Sequence, residues 1–224
     1  MGWCSAMNGS GRINKGKNYE RTIAKKLSKG FKTNVQRTAY SGATRGIDTQ
    51  YNQSEVQGKA GFVGDLFFPE GHPMSVFNYE LKHHNNFKFV HFFNSNGELP
   101  SFMEQVTTDS NRLGGVGHSV PCLICHVNRE DDYVAIPFEP HIYEYLTSKG
   151  STMITLVHYL QERTKNNYRY QVIVTNLATF MNLFSIQDQV YKYYKNLDWN
   201  VLNHHMKKAK PINVKKLVNE SLGI

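Results

Sequence analysis

Apolar residues recur along this chain with two periods, and each period predicts an element. Tyr19, Ile23, Ala24 and Leu27 fall at helical spacing, which predicts a helix over about 15–29, capped by Asn14 or Ser10 and stopped by Gly30. A short strand is expected over about 33–38. Phe62 to Phe68 is apolar on both faces apart from Asp65, as in a buried strand. Val76 to Lys82 alternates instead, with Phe77, Tyr79 and Leu81 on one side and Asn78, Glu80 and Lys82 on the other. The turn residues Pro69 to Pro73 between these runs make 62–82 a hairpin candidate. Pro100 is expected to open a helix to about Leu113, with Phe102, Val106 and Leu113 inward and Gln105 beside them. Strands follow near 120–128 and 132–138, and one more, Tyr170 to Thr175, lies among helical segments after Pro140.

This alternation of strands and helices places the chain in the α/β class, with a central mixed sheet flanked by helices. Residues 1–14 read as a flexible N-terminus, 15–139 as the core, and 140–224 as a mainly helical C-terminal extension packed on the core or continuing it. The polar stretch 41–61 is long and lacks periodicity, and such connections are usually functional or mobile.

Composition narrows the class. A chain of 224 residues with 40% hydrophobic content can bury a proper core. Lysine and arginine number 26 against 18 acids, a net charge of +8, which favours a polyanionic partner, nucleic acid first and an anionic membrane second. The three cysteines, Cys4, Cys122 and Cys125, are too few and too unevenly placed for a disulfide framework, so a reducing cytoplasm is expected. The first residues lack the apolar run of a secretory signal, and no stretch approaches the length of a membrane span.

Against this background five polar residues stand out in apolar segments: Glu20, Asp65, Glu80 with Lys82, and Gln105. Phosphodiester hydrolysis must neutralise the phosphate, generate hydroxide at neutral pH and stabilise the departing oxygen. One or two Mg²⁺ ions held by carboxylates can do all three. On a hairpin Asp65 and Glu80 can sit side by side and share an ion, to which the Leu81 carbonyl and Glu20 can contribute further oxygens. Lys82, on the face of Glu80, would hold the attacking water or the phosphate, and Gln105 would bind either as a neutral donor and acceptor.

These residues resemble the PD-(D/E)xK nuclease superfamily, and within it most closely the archaeal-type Holliday junction resolvases and their phage relatives, over roughly residues 15–128. Gly16-Lys17-Asn18-Tyr19-Glu20-Arg21 resembles the opening helix with its metal-site glutamate. Arg37 with Ser41-Gly42 resembles an element whose serine lies near the scissile phosphate. Gly64-Asp65, Glu80-Leu81-Lys82 and Gln105-Val106 match the remaining motifs, with Gly64 where the superfamily name has proline. The resemblance implies a restriction-endonuclease-like core and a Mg²⁺-dependent DNA endonuclease, with Mn²⁺ expected to substitute. Asp65, Glu80, Leu81 and Glu20 would form the metal site, and Arg37, Ser41 and Lys17 would contact DNA. It also implies branched DNA as substrate and a twofold homodimer. The alternatives are a sequence-specific endonuclease of restriction or homing type and a catalytically silent DNA-binding protein of the same fold. No residue excludes an RNA substrate.

Several motifs have plainer readings. Cys122-Leu-Ile-Cys125-His126 has the spacing of a haem attachment sequence, but its apolar neighbours suit a core strand with two small buried side chains. His83 and His84 directly follow the E-x-K motif, where a phosphate contact by one of them and a plain loop-edge pair are equal readings. Val190, Tyr194 and Leu197 fit a packed helix, which leaves the basic run 207–216 as the better DNA-backbone candidate.

Overall fold

In the computed structural model, residues 9–38, 64–94, 97–112, 120–127, 129–161 and 166–197 are described. Ser41, the stretch 41–61, the start of the 62–68 strand and the basic run 207–216 lie outside them.

One seven-stranded mixed sheet organises the chain. Its strands are β1 (Gln36–Arg37), β2 (Leu66–Phe67), β3 (Phe77–His83), β4 (Val120–His126), β5 (Asp132–Pro137), β6 (Thr152–Gln161) and β7 (Asn166–Asn176), in the order β1-β2-β3-β4-β5-β7-β6. β3 and β4 are parallel, and the other neighbours are antiparallel. The helices are α1 (Gly9–Phe31), α2 (Val90–Asn94), α3 (Leu99–Arg112), α4 (Pro140–Thr147), α5 (Leu177–Phe180) and α6 (Gln187–Lys195). Among the described residues, no helix is long and apolar enough to cross a membrane.

Two cores result from strand alternation. On one face Phe77, Tyr79 and Leu81 of β3, with Cys122 and Ile124 of β4, pack beneath Tyr19, Ile23, Leu27 and Phe31 of α1 and Val190 and Tyr194 of α6. On the other, Leu123, Cys125, Val157, Tyr170 and Val172 pack beneath Phe102, Met103 and Val106 of α3. Cys122 and Cys125 therefore lie on opposite faces, both buried with free thiols, and burial pushes both thiols well up. Among the described residues they act as small apolar side chains.

Three expectations are corrected. α1 begins at Gly9, so neither Asn14 nor Ser10 caps it, and it does not stop at Gly30 but runs through it to Phe31, where the chain turns at Lys32, whose φ is +50°. A Cβ on Gly30 would fall 2.6 Å from Met181 Sδ, so this glycine serves a close helix approach rather than a helix end. Beyond residue 139 there are two long strands, not one: β7 extends the expected 170–175 segment to 166–176, and β6 pairs with it along its whole length. Helical segments α4 and α5 pack against this hairpin, while α6 packs against the Pro73–Val76 and Met181–Ile186 turns, and β7 continues the central sheet by pairing with β5.

Candidate active site

Asp65 is held by its backbone before its side chain contributes anything. Its N–H donates to Tyr79 C=O at 2.7 Å, and its own C=O accepts from Thr38 N–H at 2.9 Å, which fastens the approach to β2 between β1 and β3. The antiparallel pairing of Leu66 with Tyr79 sets Asp65 level with Glu80. Gly64 makes this approach possible. Its φ is +81°, and a Cβ there would overlap Asn78 Oδ1 and lie 2.8 Å from Tyr79 O. Only glycine adopts that backbone at no steric cost.

The Asp65 carboxylate then accepts the Leu81 N–H at 2.8 Å. Withdrawal from water, followed by the charges of Glu80 and then Glu20, pushes its acid up to about 8, although the Leu81 N–H and Lys82 work the other way. Two acidic side chains thus crowd one another at a spot where a cation would relieve both.

Glu80 is buried on the α3 face of β3. Its Oε1 accepts from Lys82 Nζ and from Gln105 Nε2, the latter at 2.6 Å, and Lys82 Nζ also donates to Gln105 Oε1 at 2.9 Å. Lys82 Nζ stands 5.6 Å from the centre of the Phe102 ring. Asn78, two residues before Glu80 on the same face, donates to Ser110 Oγ at 3.2 Å and so ties β3 to the helix that carries Gln105.

Of the residues expected from sequence, Asp65, Glu80, Lys82 and Gln105 come together around β3. Glu20 approaches from α1, close enough to act on Asp65 electrostatically, but its carboxylate is paired with Arg37 Nε. Arg37, expected on phosphate, accordingly gives that donor to Glu20. Leu81 contributes its N–H to Asp65. Lys17 is exposed on α1.

Sequence reasoning missed the Glu20–Arg37 pair and the role of Asn78. It also missed Asp132, which accepts hydrogen bonds from Tyr19, Lys26 and His126. Asp132 follows Arg129-Glu130-Asp131 and so reads as part of a solvated turn. Asn78 carried a usable signal, since it shares the alternate face of Glu80 and Lys82.

Among the described residues, no three His, Cys, Asp or Glu side chains are gathered closely enough to hold an ion. The hard oxygens of Asp65 and Glu80 nonetheless fit the chemistry of Mg²⁺ or Mn²⁺, which retain several waters and need only one or two protein carboxylates.

A mixed sheet flanked by helices, with an aspartate and an E-x-K strand side by side, defines a PD-(D/E)xK fold of the restriction-endonuclease-like class. The particular family follows from residues 11–191, which match the family described as phage putative PDDEXK endonuclease; the chain belongs to it. No curated protein and no solved structure matches the chain.

Proposed function

We propose that the chain is a Mg²⁺-dependent DNA endonuclease that cuts branched DNA, the four-way junction foremost. The observation that carries the chemistry is the pair Asp65 and Glu80, two adjacent carboxylates with the Asp65 acid pushed up to about 8 by burial and by Glu80.

Asp65 and Glu80 would hold the ion, with the Leu81 carbonyl and Glu20 as further oxygens once Glu20 is released from Arg37. When bound, the ion neutralises the phosphate and makes a water acidic enough to yield hydroxide near neutral pH. The side chains do the rest. Lys82 Nζ, shared between Glu80 and Gln105, would orient the attacking water and donate to a phosphate oxygen. Gln105 fixes Lys82 through its carbonyl and Glu80 through its amide, so it sets the angle of both. Arg37, freed from Glu20 on substrate binding, would pair with the DNA backbone beside Ser41 and Lys17.

Junction preference rests on the likeness of Lys17 to Glu20, Arg37 with Ser41, Gly64-Asp65, Glu80 to Lys82 and Gln105 to the resolvases. Symmetric cutting of a junction requires two sites, hence a twofold homodimer. Matched labelled substrates test the preference: a four-way junction, a linear duplex of the same sequences and a single strand, each with Mg²⁺ or EDTA. Paired nicks in the junction alone are the expected result. Cutting of the duplex at one fixed sequence would replace this reading with a restriction or homing type.

A further inference from the structure

A second polar cluster lies at the edge of the sheet that presents Lys82, on the opposite face. β3 and β4 run parallel and end together, with Lys82 level with Cys125 and His83 level with His126. His126 pairs in turn with Asp132 at the start of β5. Asp132 accepts from three sides: the Tyr19 hydroxyl at 3.1 Å, Lys26 Nζ at 2.6 Å and His126 Nδ1 at 3.0 Å. Burial works against its charge, but the hydrogen bonds from Lys26 and His126 prevail and hold its carboxyl below the ordinary range.

The imidazoles of His83 and His126 meet edge-on with centres 4.6 Å apart, and the Tyr19 ring lies 5.0 Å from His83. Lys15, one turn before Tyr19, reaches Asn85 just past the end of β3. Tyr19 and Lys26 already fasten α1 to the sheet through Asp132. A third donor from a histidine adds something else, because its Nδ1 is committed to the carboxylate while 29% of its side chain remains exposed. A carboxylate on one ring nitrogen fixes the tautomer, leaving Nε2–H as a donor to an outside group.

We infer that His126, oriented by Asp132 and flanked by Lys15 and Lys26, binds a backbone phosphate of the substrate strand away from the scissile bond; this rests on the nuclease reading above. Three facts support it. The cluster shares the strand-end edge with Lys82, so a strand lying along that edge passes both. Two ammonium groups, Lys15 and Lys26, flank the Asp132 carboxylate there, with Arg129, Glu130 and Asp131 in the exposed turn before β5. Its outward chemistry is N–H donation from His126 Nε2 and the lysine ammonium groups, which suits phosphate oxygens. The groups facing His126 are Tyr19 and Lys26 of α1, His83 of β3 and Asp132 of β5, with Lys15 beyond. His83 packs its ring against His126 and Tyr19 and so shapes the site.

The test is equilibrium binding of the full chain to labelled junction and duplex DNA in EDTA, over a series of salt concentrations. His126→Ala should weaken binding about three- to tenfold. His126→Lys, which supplies an N–H donor without restoring the imidazole, should recover most of the affinity. Unchanged affinity in His126→Ala, or a His126→Lys variant no tighter than it, would overturn the inference. Failure of the wild type to cut with Mg²⁺ would instead count against the nuclease reading, since binding in EDTA does not depend on cleavage.

Discussion

Asp65 carries the electrostatic tension of the site, and that tension has a measurable sign. Its acid sits near 8 in the fold, against an ordinary carboxylate value of about 4 in the unfolded chain. The fold therefore binds that proton more tightly than the unfolded chain does. Its contribution to stability is fully present below about pH 4 and is lost as the pH rises toward about 8. Asp65→Asn should accordingly melt higher than the wild type at pH 8–9 by several degrees, with the difference vanishing near pH 4, while cleavage is lost. Thermal melting across pH in EDTA checks this, and a variant that melts lower at every pH would contradict it. Gly64 makes a second residue-level case. Restoring the proline of the superfamily name requires φ near −65° where the chain has +81°, so Gly64→Pro should displace Asp65 and abolish cleavage. Gly64→Ala should also lose activity, at a stability cost of about 1–3 kcal/mol read from chemical denaturation.

Among the elements, β3 was the most legible from sequence, because Phe77, Tyr79 and Leu81 alternate with Asn78, Glu80 and Lys82 and each set meets a different core. β6 was not legible. Met153, Leu156, Val157 and Leu160 fall at helical spacing, and the outward positions Ile154 and Leu160 are apolar rather than polar, so no period of two appears. Helix α1 was legible as a stripe, but its end was misread, since nothing in the sequence places Met181 against Gly30. The pairings Glu20–Arg37 and Asp132–His126 join residues distant along the chain or hidden in a charged turn, and periodicity carries no information about either. α1 also supplies an element-level prediction: Ile23 is wholly buried beneath that helix, and Ile23→Ala should cost about 2–5 kcal/mol in equilibrium unfolding. Because the same helix positions Glu20, cleavage should fall even at temperatures where the variant stays folded.

The whole molecule arranges its chemistry along one sheet. β2 and β3 bring Asp65 to Glu80, α3 closes over Glu80 with Gln105, and α1 approaches from the opposite face with Glu20. The net charge of +8 predicts DNA binding that weakens steeply with salt, as counterion release requires. The proposed twofold dimer predicts a solution mass of twice 25.7 kDa, which sedimentation or light scattering would read directly. Asp65 and Glu80 are proposed to form a metal-dependent nuclease centre. Its most direct test is cleavage of labelled junction DNA by the wild type beside Glu80→Ala, with Mg²⁺ and with EDTA. Cutting by the wild type in Mg²⁺ alone, abolished in Glu80→Ala while DNA binding persists, is the predicted result. Equal cutting by both proteins, or wild-type cutting that survives EDTA, would contradict it.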